Sequence, residues 1–305
     1  MFHKIIPAFT IILLTAAIAF GQQEQHHDFD SIKVVKRGAS LIQISKQFSF
    51  TEGPASDKKG NIFFTDQPND KIWKYDTEGK LSVFMDKTGR SNGMGFDAKG
   101  RLITCADEKN QLWAIDPGGN VNVLLTNFNG HQFNGPNDVW IDTKGGIYFT
   151  DPYYQRDYWQ RKKPDLKGEY VYYLPKGKKA AVIVDSTLQQ PNGIVGTPDG
   201  KYLYVADIRD NKTYKYQINK NGSLSNRRLY VTQGSDGMTI DEQGNIYLTG
   251  KGVTIYNKSG KQMGNIPVPS GWTANVCFGG KDHKTLFITA SESVYILKMQ
   301  VKGIE

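Results

Sequence analysis

Glu52, Asn92, Asn137, Asn192 and Asp236 each stand about eight residues ahead of a glycine that opens a short apolar run, so they occupy one position of a repeated unit. Two carboxylates and three amides offer oxygen donors only. Such a set suits Ca²⁺, which takes about six to eight oxygen ligands with waters included, far better than Zn²⁺. No histidine belongs to the set, so the usual partner of a serine or cysteine nucleophile is missing. Asn-Gly and Asp-Gly pairs are also ordinary hairpin signals, which is the plain structural reading of Asn192-Gly193 and Asp236-Gly237. Glu52 in Glu52-Gly53-Pro54 and the pair Asn137-Asp138 fall outside such dipeptides. Registration of all five positions at one offset therefore favours a ligand site over a set of turns.

The elements that must position these residues are short strands. Gly60-Asn61-Ile62-Phe63-Phe64-Thr65-Asp66 has counterparts beginning at Gly100, Gly145, Gly200 and Gly244, and a weaker one from Lys284 to Thr289. Between copies lie further alternating runs, such as Lys71 to Tyr75 and Leu81 to Phe84, separated by Asp-Gly, Glu-Gly or Gly-Gly turns. Each copy thus holds about four antiparallel strands, the pattern of a propeller blade. The last copy shows only three strands, and Ser40 to Ser45 at the other end of the chain alternates like the missing fourth. Pairing the two hides both edges. The expected fold is all-β: a six-bladed β-propeller over residues 31–300, its ring closed by an N-terminal strand, with the five polar residues converging on the axis.

Composition is that of an ordinary globule, 38% hydrophobic and 22% charged. The net charge of +8 comes from lysines spread over turns, which excludes a nucleic-acid-binding face; a monomer is expected. Lys4, the apolar run Ile5 to Phe20 and Gly21 read as a signal peptide over residues 1–21, followed by a flexible lead-in over 22–30. The run is too short for a comfortable transmembrane helix and no cysteine lies near the cleavage region, so no membrane anchor is expected. The mature protein is expected to be periplasmic or secreted. Cys105 and Cys277 read as buried free thiols. The third copy is interrupted by an aromatic and basic insertion, residues 152–168, that starts directly after a strand. It reads as a functional loop overhanging one mouth of the ring.

Phe50-Thr51-Glu52-Gly53-Pro54, Asn134-Gly135-Pro136-Asn137-Asp138, Tyr148 to Tyr153, Pro191-Asn192-Gly193 and Ser235-Asp236-Gly237-Met238 together resemble the gluconolactonase, regucalcin (senescence marker protein) and luciferin-regenerating family. The resemblance implies a divalent ion held by Glu52, Asn137, Asn192 and Asp236. It also points to Asp236 as a ligand that doubles as general base, with Asp138 the local competitor or a residue that orients a ligand. Regucalcin-type members carry a substrate-contacting arginine two residues before the Pro-Asn-Asp asparagine, and Gly135 stands there in this chain. Substrate contact then falls to Asn92, Asn134, Tyr153 and Tyr154. The expected activity is metal-dependent hydrolysis of a sugar lactone or related cyclic ester. The rival readings are a non-catalytic metabolite-binding propeller with a structural calcium ion and a metal-dependent phosphoesterase.

Overall fold

The repeated glycines close turns that an acid organises from within. Asp57 Oδ1 accepts the N–H groups of Lys59 and Asn61, and Asp142 Oδ1 those of Lys144 and Gly146. Asp97 and Asp241 do the same in their own turns. Each carboxylate satisfies two donors that the tight turn would strand. Gly60 takes the residue of positive φ, at 87°, that such a turn requires.

The computed structural model describes residues 29–304, and in them the turns join strands into a six-bladed ring. The first blade is Thr51–Ser56, Ile62–Asp66, Lys71–Tyr75 and Leu81–Asp86, paired in that order. The second runs from Ser91–Phe96 to Val121–Leu125, the third from Val139–Ile141 to Val182–Asp185, and the fourth from Pro191–Gly196 to Leu224–Val231. Met238–Ile240, Ile246–Gly250, Gly252–Tyr256 and Gln262–Ile266 form the fifth, which touches the sixth through the single pairing of Gly250 with Thr273. A 3-10 turn, Gln67–Asn69, is the helical segment found among the described residues. No helix in them is long and apolar enough to cross a membrane.

The sixth blade takes Thr273–Gly279, Thr285–Ala290 and Ser293–Lys298 from the C-terminal end and Ile42–Ser45 from the N-terminal end. Ile42 pairs with Ile296 and Gln43 with Tyr295, so the ring is closed as the lone N-terminal strand suggests. Phe29, Ile32 and Val35 also pack into the core of the last two blades. The expected signal peptide and most of the expected lead-in lie outside the described residues.

The core sits between blades rather than in one central mass. Phe64 of the first blade meets Phe287 of the sixth, ring centroids 5.3 Å apart, in a cluster with Phe48, Ile62 and Cys277. Tyr148 of the third packs with Leu203 and Val205 of the fourth. Both cysteines are buried and serve as small apolar side chains, Cys105 in the second strand of its blade and Cys277 in the innermost strand of the sixth.

Candidate metal centre

The innermost strands are bent where they carry the polar residues. Pairing with the second strand shifts register between Glu52 and Ala55, Ser91 and Met94, Pro191 and Ile194, and Thr273 and Asn275. A bulge of this kind re-aims side chains, here toward the ring axis. In the third and fifth blades the innermost strand is shorter, and Asn137 and Asp236 lie just before Val139–Ile141 and Met238–Ile240. Glycines let the bent strands meet. A Cβ on Gly53 would come within 2.0 Å of the Asn92 carbonyl oxygen, and one on Gly93 within 2.4 Å of that of Asn137. The glycine after a polar residue is therefore the seat for the next blade's polar residue.

These residues are interlinked. Asn192 Nδ2 donates to Asp236 Oδ1 at 2.8 Å and to the Tyr154 hydroxyl at 3.0 Å. Trp272 Nε1 donates to the other oxygen of Asp236 at 2.6 Å. Asn275 Nδ2 donates to Glu52 Oε2 at 3.1 Å, and the Gly53 N–H reaches the same oxygen. Asn275 pairs with Thr289 as Glu52 does with Thr65, so it is the sixth member of the ring. It escapes the glycine-based register because Lys284 replaces the glycine in that copy. Trp272 is likewise absent from the repeat pattern; its only signal in the sequence is a tryptophan in a polar turn, Ser270-Gly271-Trp272.

The electrostatics call for a cation. Burial, with the charges of Asp236 and then Asp138 added, pushes the Glu52 carboxyl well above the usual carboxylate range. Burial likewise raises Asp138 to about 7 and Asp236 to about 6, the latter despite the donors Trp272 and Asn192. The amide oxygens of Asn92 and Asn192 are buried without a hydrogen-bond partner. Orphaned acceptors beside under-compensated carboxylates are what a hard cation with oxygen ligands satisfies. No cluster of three or more His, Cys, Asp or Glu side chains suited to a metal occurs among the described residues, so any ion here depends on the amides. Glu52, Asn192 and Asp236 fit this role directly, with Asn92 and Asn137 on the same ring.

Two cavities touch the ring. A channel of about 260 Å³ is lined by Asp138, Asn275 and apolar residues including Met94, Val139, Ile194 and Met238, and Ile304 contributes to its wall. A second cavity of about 410 Å³, lined chiefly by residues of the fourth and fifth blades, includes Asp236, Trp272, Lys251 and Asn211. Asp138 and Asp236 are near enough for one charge to raise the other's pKa, yet they open on different spaces.

The family described as SMP-30/Gluconolactonase/LRE-like region matches residues 50–292. This chain belongs to that family. It is 30% identical over 294 residues to the gluconolactonase of Zymomonas mobilis subsp. mobilis, covering 85% of this chain and 81% of that one. A gluconolactonase of Xanthomonas campestris superposes with a TM-score of 0.81 at 25% identity, covering 90% of this chain and 93% of the other. The calcium-binding protein regucalcin of Agrobacterium tumefaciens shares the fold, with a TM-score of 0.71 at 17% identity and coverage of 86% and 94%.

Within this family framework the insertion is seated on the second blade. Arg156 Nε, the Tyr158 hydroxyl and Gln67 Nε2 all donate to Asp107 Oδ2, and Trp159 Nε1 donates to the Asp107 carbonyl. Trp159 also explains Gly135. A Cβ there would lie 2.8 Å from Asp107 Oδ1 and 3.0 Å from the indole, so a larger side chain has no room. The same loop engages two of the expected substrate contacts. Asn134 is fully buried, its Nδ2 donating to the carbonyls of Asp151 and Gly168 while its Oδ1 has no hydrogen-bond partner. Tyr153 is half-buried, its hydroxyl donating to exposed Gln155 and its ring packed near Trp159 and Arg161. Tyr154 alone of the expected loop contacts reaches the axial ring, through Asn192. Arg161 lies over Trp159 and donates to the Asn134 carbonyl.

Proposed function

We propose that this chain is a calcium-dependent lactonase that opens a sugar lactone or related cyclic ester at the axial ring. The observation that carries this reading is the ring itself, in which the buried carboxylates of Glu52 and Asp236 stand beside the unpartnered amide oxygens of Asn92 and Asn192. The gluconolactonase names of the Zymomonas and Xanthomonas relatives support the same chemistry, and metal dependence is general in the family. Glu52, Asn137, Asn192 and Asp236 would hold the ion. Ca²⁺ fits the all-oxygen donor set; once bound it supplies Lewis-acid stabilisation of the charge that develops on the lactone carbonyl oxygen.

The chain's own residues do the rest. Asp236 takes the proton of the attacking water as the water oxygen bonds to the carbonyl carbon, and returns it to the ring oxygen as the carbon–oxygen bond of the lactone breaks. Trp272 and Asn192 each donate to one of its oxygens and fix the carboxylate's orientation. Asp138 is bonded by the Val139 N–H and opens on the apolar channel, so its role is to orient the ring rather than to meet the substrate. The mature protein acts as a monomer in the periplasm or medium, a reading that rests on the apolar leader and on turn lysines alone.

The deciding experiment strips the protein with chelator, restores single cations, and follows multiple turnover on sugar, alkyl and aromatic lactones beside phosphoesters. Lactone turnover restored by Ca²⁺ supports the reading. Stoichiometric binding without turnover would leave a metabolite-binding propeller, and preference for phosphoesters would make it a phosphoesterase.

A further inference from the structure

We propose that Arg156, docked on Asp107 beside Tyr154, grips adjacent hydroxyls of a neutral polyhydroxylated lactone through its two terminal amino groups and so sets substrate choice. This rests on the lactonase reading of the same site.

Three observations place the guanidinium there. Asp107 is only 2% exposed, and the Arg156 Nε donates to it at 2.9 Å, so one edge of the side chain is fixed. Its guanidinium carbon lies 5.6 Å from the centre of the Tyr154 ring, and the Tyr154 hydroxyl accepts from axial Asn192. The Arg156 charge is also felt at Asp236, where it favours the ionised carboxylate, so the cation faces the ring from the loop side. Only Nε is spent. The two terminal amino groups donate to no described residue, and the side chain keeps 26% of its surface.

Charge decides what those donors take. Asp107 is paired with Arg156 through Nε, so an anionic substituent meets a cation whose charge is already partnered. Vicinal hydroxyl oxygens match a planar fork of N–H donors without adding charge, and a lysine in the same place would offer a point charge instead. Lys162 and Lys163 do not alter this balance, because both are exposed to solvent.

Calcium-loaded wild type, Arg156→Gln and Arg156→Lys are compared on glucono-δ-lactone, on unsubstituted δ-valerolactone and on a carboxyl-bearing sugar lactone. The glutamine variant retains an N–H for Asp107, and the lysine variant serves if the first fails to fold. Binding of the matching polyhydroxylated lactam, which is not hydrolysed, is titrated in parallel. Both variants are expected to raise KM for glucono-δ-lactone by about tenfold or more with kcat little changed, and to raise the lactam Kd equally. The loss on δ-valerolactone should be smaller by about the same factor. Ca²⁺ should bind somewhat more tightly to Arg156→Gln, which has lost a positive charge facing the ring, and not to Arg156→Lys, a split that a purely structural role would not produce. Equal losses on substituted and bare lactones, an unchanged lactam Kd, or better use of the carboxyl-bearing lactone than of the neutral one would overturn the proposal. If the wild type opens no lactone yet the variants weaken lactam binding, the lactonase reading fails and Arg156 stands. If lactones are opened and lactam affinity does not move, the reverse holds.

Discussion

The axial ring and the insertion use buried carboxylates in opposite ways. In the ring, Glu52, Asp138 and Asp236 come together with no lysine or arginine among the described residues bonded to them, and all three are raised above the usual carboxylate range. Under the insertion, Asp107 of the second blade is equally buried and its carboxyl is raised by burial too, but it holds Arg156, Tyr158 and Gln67 on one oxygen, and the Arg156 charge pulls it back down. The first arrangement leaves charge to be balanced from outside, and the second balances it from within the chain. A site that waits for an ion is built from repeat positions, one per blade. A seat that holds a loop is built from residues far apart in sequence.

Removing a ring carboxylate should break this contrast most visibly. Glu52→Gln and Asp236→Asn are each expected to lower Ca²⁺ affinity on the order of a hundredfold and to lower kcat/KM on the order of a thousandfold. The metal-free fold should meanwhile gain stability, because one of several repelling buried charges has gone. Calorimetric Ca²⁺ titration and paired melting curves with and without the ion measure both. Unchanged Ca²⁺ affinity in both variants would sink the axial site.

The same charges make the metal-free protein sensitive to pH. Asp138 titrates near 7 in the fold and near 3.8 when unfolded, and Glu52 and Asp236 move in the same direction. Folded pKa values above unfolded ones mean that their protonated forms favour folding below about pH 4 and that this contribution is lost as pH rises toward about 7. Metal-free Tm is therefore expected to fall across that window, against a background from other groups that the Glu52→Gln variant calibrates. Ca²⁺ should flatten the fall. Equal slopes with and without Ca²⁺ would show that the ion does not sit among these carboxylates.

The ring is legible in the sequence because it repeats. Five of its members share one offset from a glycine, and an offset survives even where strand lengths differ between blades. Asn275 is hidden only by the missing glycine of the last copy, and pairing with Thr289 restores its place. The loop has no such ruler. Aromatic and basic composition suggests ligand contact for Tyr153 and Arg161, and neighbouring Asn134 shares that expectation, yet packing and hydrogen bonds around the loop claim all three. Nothing in a linear reading tells that Asp107, from another blade, is the loop's seat, because that contact spans 49 residues.

Loosening the seat should sharpen the comparison with a smaller effect. Asp107→Asn keeps an oxygen for one donor but removes the charge that Arg156 and Tyr158 share. Amide hydrogen exchange over residues 152–168 is expected to speed up by about tenfold, while Ca²⁺ affinity changes by less than about twofold. Replacing the loop by a glycine-serine bridge in the Asp107→Asn background, which avoids a stranded buried acid, should shift relative kcat/KM among lactones and still leave Ca²⁺ bound. Loss of the ion in either protein would mean that the two regions are not separable.

The smallest effect is expected at the exposed end of the loop. Composition alone suggests that Arg161, Lys162 and Lys163 act together on acidic substrates, but the structure divides them. Arg161 stacks on Trp159, 4.3 Å from guanidinium carbon to ring centre, whereas Lys162 and Lys163 are exposed. Exposed charges beyond the Debye length of about 8 Å at physiological ionic strength act weakly on a bound ligand. Neutralising both lysines to glutamine should change kcat/KM for anionic and neutral lactones by less than about twofold at that salt, with any difference confined to low ionic strength. Arg161→Gln should instead speed exchange in the loop without favouring one substrate charge over another, since its guanidinium serves packing. A strong, salt-sensitive loss on anionic lactones alone in the double lysine variant would return substrate steering to the loop tip and take it from the Arg156 seat.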